Sequence, residues 1–209
     1  MKRRGGFTMV EALIATLITT SVVGAVLAVV GPAQAVVRAQ GEAADLHQRL
    51  RAATDGIAAD LRAAASVRPY RVGAIRDEGL AGVYYRPDTI TAVGETTRTY
   101  YLKTETSELM LYDGGASDLP MVEHVVGLAF DYFGADDAGR ALVRIDPGLL
   151  IDGPWSEDAS HRRVDADVAR IRDVRVSIRL EATAPSLRRL VPDEDITFDV
   201  ALRSVAPLD

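Results

Sequence analysis

Hydrophobic and polar positions divide the 209-residue chain into three stretches with different periods. The first is the simplest: nineteen consecutive residues, Ala12 to Val30, carry no charge. At ~1.5 Å rise per residue they form a helix of about 28 Å, close to the ~30 Å hydrocarbon thickness of a bilayer. Gly31-Pro32 closes this run, and a proline inside a helix removes one backbone hydrogen bond and usually kinks it. In the second stretch Val36, Ala39, Ala43, Leu46, Leu50, Ala53, Ile57, Leu61 and Ala64 recur at threes and fours. That is an amphipathic stripe of helical period, with Arg38, Glu42, Asp45, Arg49, Asp55, Asp60 and Arg62 mostly off it. One helix from about Phe7 to about Ala64 would be roughly 85 Å long if unbroken. Its outer half suits a membrane, and its inner half suits a globular head. A coiled coil is the competing use of the stripe; its small alanines favour close packing on a sheet.

After Ala65 the apolar runs shorten and turn residues separate them. Pro69 and Gly73 end the helical region. Val83 to Arg86 reads as a strand closed by a turn at Pro87-Asp88, and Ile90–Val93, Thr97–Lys103 and Glu108–Tyr112 read as successive strands rich in Thr, Tyr and Val. Thr104 to Ser107 forms a hairpin connection between the last two, and Asp113-Gly114-Gly115 ends the second arm. Met121 to Phe133 is expected to be one long strand, and Arg140 to Ile145 a short one. Residues 146–167, which include the single tryptophan Trp155, are the least regular part. From Ile171 to Ala182 the chain alternates: Val174, Val176, Ile178 and Leu180 point one way, Arg175, Ser177, Arg179 and Glu181 the other. Such a half-exposed antiparallel strand pairs plausibly with Ile196–Val205, across a charged loop from Pro185 to Asp195. The expected fold class is α+β, a long N-terminal helix packed on an antiparallel β-sheet head.

Composition narrows the chemistry. A net charge of −6 and a pI near 5.1 argue against nucleic acid as a partner, because phosphate binding needs a basic surface. Cysteine is absent, so there is no disulfide framework, thiol nucleophile or zinc cluster. His47, His124 and His161 show no metal-ligand spacing, and no nucleophile elbow, phosphate loop or dinucleotide fingerprint occurs. No catalytic residues are assigned, and no enzymatic activity or cofactor is expected. The acidic loops Asp131–Asp137 and Asp152–Asp167 lack EF-hand spacing and read as solvated loops, with calcium ligation as the alternative.

Chemistry concentrates instead at the N-terminus. The basic tip Lys2-Arg3-Arg4 precedes Gly5-Gly6, and a carboxylate, Glu11, borders the apolar run. A charge at a helix centre costs roughly 2.5–3.5 kcal/mol on insertion scales, and less near an end, so Glu11 calls for a partner. A secretory signal peptide would explain the tip, and Ala33-Gln34-Ala35 offers a cleavage pattern. Against it, the apolar run is too long, the acid lies where that run should begin, and the helical pattern continues past the cut. A plain anchor explains everything except Glu11 and the glycines.

Gly6-Phe7-Thr8-Met9-Val10-Glu11, followed by Ala12-Leu13-Ile14-Ala15, resembles the processing signature of type IV pilins and type II secretion pseudopilins. The resemblance implies that a prepilin peptidase cuts between Gly6 and Phe7 and that the new N-terminus of Phe7 is methylated. It further implies that Glu11 pairs with the N-terminal amine of a neighbouring subunit. Phe7 and Glu11 are i and i+4 on a helix, so the same pair within one chain is equally open. Asp60-Leu61-Arg62-Ala63-Ala64, the paired stretches Tyr100-Tyr101-Leu102 and Leu109–Tyr112, and Val126-Gly127 through Phe133 resemble the J-type minor pseudopilins and W-type minor pilins.

The implied organisation is a leader at 1–6, a transmembrane and assembly helix at 7–30, its amphipathic continuation at 31–65 and a β-rich head at 66–209. The implied function is that of a minor pilin or pseudopilin, a structural subunit at or near the tip of a filament. Its partners would be the peptidase, other pilin-like subunits and the inner membrane. By the positive-inside rule the tip stays cytoplasmic and the head lies outside. A membrane-tethered binding or sensory domain with an uncleaved anchor is the alternative.

Overall fold

A computed structural model describes residues 8–70, 86–114, 118–135, 141–157 and 163–203. One helix, α1 (Met9–Ala63), runs through Pro32 and ends where Ala64 turns to extended backbone. At ~1.5 Å per residue its 55 residues extend about 82 Å.

Two antiparallel sheets form the head. The first holds β1 (Ser66–Arg68), β2 (Thr89–Val93), β3 (Thr97–Lys103), β4 (Glu108–Tyr112) and β5 (Leu119–Glu123), side by side in chain order. The second is built from β6 (Val125–Ala135), β7 (Leu142–Arg144), β10 (Ile171–Leu180) and β11 (Glu194–Ala201), in the order β11-β10-β6-β7. A small ribbon, β8 (Trp155–Glu157) with β9 (Arg163–Asp165), is inserted between β7 and β10 of the second sheet. The chain is thus α+β, with a long N-terminal helix packed on antiparallel sheets. Strands β10 and β11 pair as their alternation predicts: Val174 lies opposite Val200, Val176 opposite Phe198 and Ile178 opposite Ile196. The valines and isoleucine of β10 are buried against the helix, and Arg175 and Ser177 face outward.

The inner half of α1 supplies one wall of the core. Leu46, Ala53, Ile57 and Leu61 are fully buried, with Leu50 nearly so. Ala39 and Ala43 mark the edge of the contact. Val36, placed by its spacing on the same stripe, is 54 % exposed, because α1 leaves the head before reaching it. Gly56 faces Met121 of β5 so closely that an added Cβ would lie 2.4 Å from the methionine methyl. The missing side chain is what brings helix and strand together.

One further expectation changes, and one strand is added. Met121 to Phe133 is two strands, because His124 adopts φ +60° and redirects the chain from the first sheet into the second. The His124 carbonyl accepts the N–H of Glu181 at 3.0 Å, which holds the turn in place. Strand β1 was not expected: its three residues are too few to show a period. Residues 83–85 of the expected strand Val83–Arg86 lie outside the described residues; Arg86 makes a two-pronged bond to Asp88 beside the Pro87-Asp88 turn.

Candidate assembly interface

The outer half of α1 stands free of the head. None of its apolar run is buried among the described residues, and this helix is long and apolar enough to cross a membrane. Leu13, Leu17 and Leu27 are each more than 60 % exposed. Monomeric soluble proteins rarely leave contiguous apolar patches beyond a few hundred Å². The uncharged run also extends past Val30: the next charge is Arg38, and Val36 and Val37 stand exposed between the two halves.

The hydroxyls within this half are satisfied by the helix itself. The hydroxyls of Thr16, Thr19, Thr20 and Ser21 each donate to the carbonyl four residues earlier at 2.8 Å. Such back-bonding leaves no hydroxyl proton exposed to an apolar medium, where an unsatisfied group costs several kcal/mol. Among the described residues, the surface from Ala12 to Val37 therefore carries no charge and no unsatisfied hydroxyl donor from these four side chains.

At its N-terminal end sits Glu11, and the helix starts there for a local reason. Thr8 is the N-cap, in extended backbone, and its hydroxyl oxygen accepts the N–H of Glu11 at 3.3 Å. In return Glu11 Oε2 accepts the Thr8 N–H at 3.2 Å and the Thr8 hydroxyl at 3.1 Å. This reciprocal capping box satisfies two amides that a helix start otherwise leaves open, and it places the carboxylate at the positive end of the helix dipole. Oε1 has no hydrogen-bond partner among the described residues. Gly6 and Phe7, assigned to processing and, for Phe7, to the charge pair with Glu11, lie outside the described residues. Thr8 was missed as a functional residue, although threonine three positions before a glutamate is itself the capping signature.

At the far end, Asp60 of the Asp-Leu-Arg stretch is engaged across the fold rather than solvated. Both its oxygens accept from Arg98 Nη1, at 2.8 and 2.9 Å, and the Tyr100 hydroxyl also donates to it. Burial and the Asp60 charge raise the Tyr100 hydroxyl above its usual range, and the same carboxylate holds the Arg98 guanidinium more firmly protonated. Near the edge of the head, Glu42 accepts the N–H of Thr183, and Arg49 donates to the Glu123 carbonyl at 3.2 Å. These polar bonds tie the inner half at both its ends.

No family model, curated protein or solved structure matches this chain.

The remaining candidates have structural accounts. Ligand atoms of Asp152, Asp165 and Asp167 lie within 4.8 Å of one another. The buried Asp165 carboxylate, however, accepts the N–H groups of Gly153 at 2.7 Å and Asp167 at 2.8 Å, and Asp167 pairs with Arg170 at 3.0 Å. Calcium takes six to eight oxygens. Three carboxylates, two of them already committed to capping and pairing, do not fit it well. Asp131 is paired with Arg144 at 2.6 Å, and residues 136 and 137 of that loop lie outside the described residues. His47 bridges the Ala43 carbonyl at 2.7 Å and Glu194 at 2.9 Å, and His124 serves the turn between sheets. His161 lies outside the described residues.

Proposed function

We propose that this chain is a minor pilin or pseudopilin, a structural subunit that enters a filament at or near its tip after prepilin peptidase removes residues 1–6. The observation that carries the reading is the outer half of α1, an apolar surface that none of the described residues buries and that ends in a helix-capping acid. Packing this half against equivalent helices of other subunits buries that surface outside the bilayer as well as inside it. Gly6-Phe7 supplies the cleavage junction, and cutting there leaves an ammonium, free or methylated, on Phe7. Oε2 of Glu11 serves its own helix, which leaves Oε1 to meet the ammonium of an adjacent subunit. In low dielectric the two charges attract strongly, and either one alone is costly, so the pair fixes axial register. Before assembly the same helix anchors the subunit in the inner membrane with the head outside.

Glu11→Ala tests this directly. Cleavage after Gly6 is expected to proceed, while incorporation into filaments, scored by shearing and immunoblotting, falls at least tenfold. Normal incorporation of that variant would remove the charge-pairing account.

A further inference from the structure

Where α1 ends, the described residues leave an open groove of about 640 Å³, within the range of ordinary ligand pockets. Its floor is made of small groups, Ala63, Ala64, Ala65, Ala92 and Gly94. The walls are stitched together. Ala65 donates its N–H to the Val93 carbonyl at 2.8 Å, and Gly94 approaches the helix end so closely that a Cβ would stand 3.3 Å from the Ala63 carbonyl. The groove's backbone walls are therefore in place before any ligand arrives, and their ordering does not oppose binding.

Its charge is opposite to that of the whole chain. Arg62, Arg98 and Arg203 line it against two carboxylates, Asp60 and Glu95, in a protein of net charge −6. Arg98 is held in place by Asp60: Nη1 donates to both of its oxygens. A guanidinium fixed this way is a pre-oriented donor for a further carboxylate. Arg62 and Arg203 are exposed and, among the described residues, make no ion pair.

We propose that this groove binds an extended acidic peptide segment of a partner protein, its backbone over the alanine floor and its carboxylates on Arg62, Arg98 and Arg203. The site lies at the end of α1 opposite Glu11, and it requires neither cleavage nor assembly, so it stands or falls separately from the filament reading.

The test uses the full chain in detergent micelles and a fluorescein-labelled peptide of alternating glutamate and alanine, read by anisotropy. Its lysine–alanine counterpart serves as the control. The acidic peptide is expected to bind, with affinity falling steeply as salt rises, and the basic peptide is not. The double variant Arg62→Gln/Arg203→Gln is expected to weaken binding about tenfold or more, by loss of charge-assisted hydrogen bonds, and Glu95→Gln to strengthen it. Equal binding of both peptides, or an unchanged affinity in the double variant, would overturn the proposal. So would complete displacement by acetate at a concentration matching the peptide's carboxylates, which would mean a site for small anions only. The peptide comparison on the unmodified chain decides the question even if the variant misfolds.

Discussion

Leu17 and Leu46 sit on one continuous helix, and they meet opposite surroundings. Leu17 is 67 % exposed, among other apolar side chains that none of the described residues covers. Leu46 is fully buried, in a core shared with both sheets. The inner half of α1 is bound to the head by apolar contact and by Asp60, Glu42 and Arg49. Among the described residues, the outer half makes its polar bonds to itself. Helical period alone does not separate the halves, because both are regular. The difference lies in whether charges interrupt the apolar surface: where they do, the helix has one face to bury inside its own chain, and where they do not, the whole circumference needs partners from outside.

The sharpest way to break this comparison is to truncate one side chain in each half. Ile57→Ala is expected to lower the stability of the head by about 2–5 kcal/mol, the usual cost of emptying a core site. Leu17→Ala is expected to change it by less than about 0.5 kcal/mol, as for exposed positions elsewhere. Chemical denaturation of the full chain in detergent, followed by the fluorescence of Trp155, measures both. Similar losses would mean that the two halves are not independent.

A second prediction sharpens the role of Asp60 in fastening the inner half. Tyr100 is buried, and its hydroxyl, donating to Asp60, keeps its proton above the ordinary tyrosine value of 10.0. The folded-state value is raised, so the stabilisation is fully present below that unfolded value and is lost as pH rises past it. The slope is at most about 1.4 kcal/mol per pH unit. Melting temperature should therefore fall more steeply between pH 10 and 12 in the wild type than in Tyr100→Phe. Parallel curves would show that this hydroxyl does not couple folding to pH.

The smallest effect belongs to the other end. Thr8→Ala removes the capping box, worth about 0.5–2 kcal/mol, but only at a helix terminus that already stands free. Amide exchange at Val10 to Ala12 should speed up several-fold while the melting of the head stays unchanged. If the head also melted earlier, the outer half would be contributing to its fold.

Much of this architecture was legible because it is written in local patterns. The single helix, the hairpin Thr97–Tyr112 and the β10–β11 pair all follow from period and turn residues, and β3 and β4 match their expected bounds. The break at His124 was hidden because the residues on both sides of it are apolar and strand-forming, so nothing in the pattern marks a change of sheet. The Asp60–Arg98 pair spans 38 positions and two element types, which no spacing rule connects. At the N-terminus the reverse holds: Glu11 was conspicuous as a lone acid beside an apolar run, but its own cap at Thr8, three residues away, was overlooked in favour of a distant partner.

The central claim, that the outer half of α1 is an assembly element released by one cut, is tested most directly by intact-mass and N-terminal fragment analysis of the protein recovered from membranes. The account predicts a chain that begins at Phe7 and carries a methyl group on its α-amine. A chain that retains Met1, or one that begins at Val36, would contradict it.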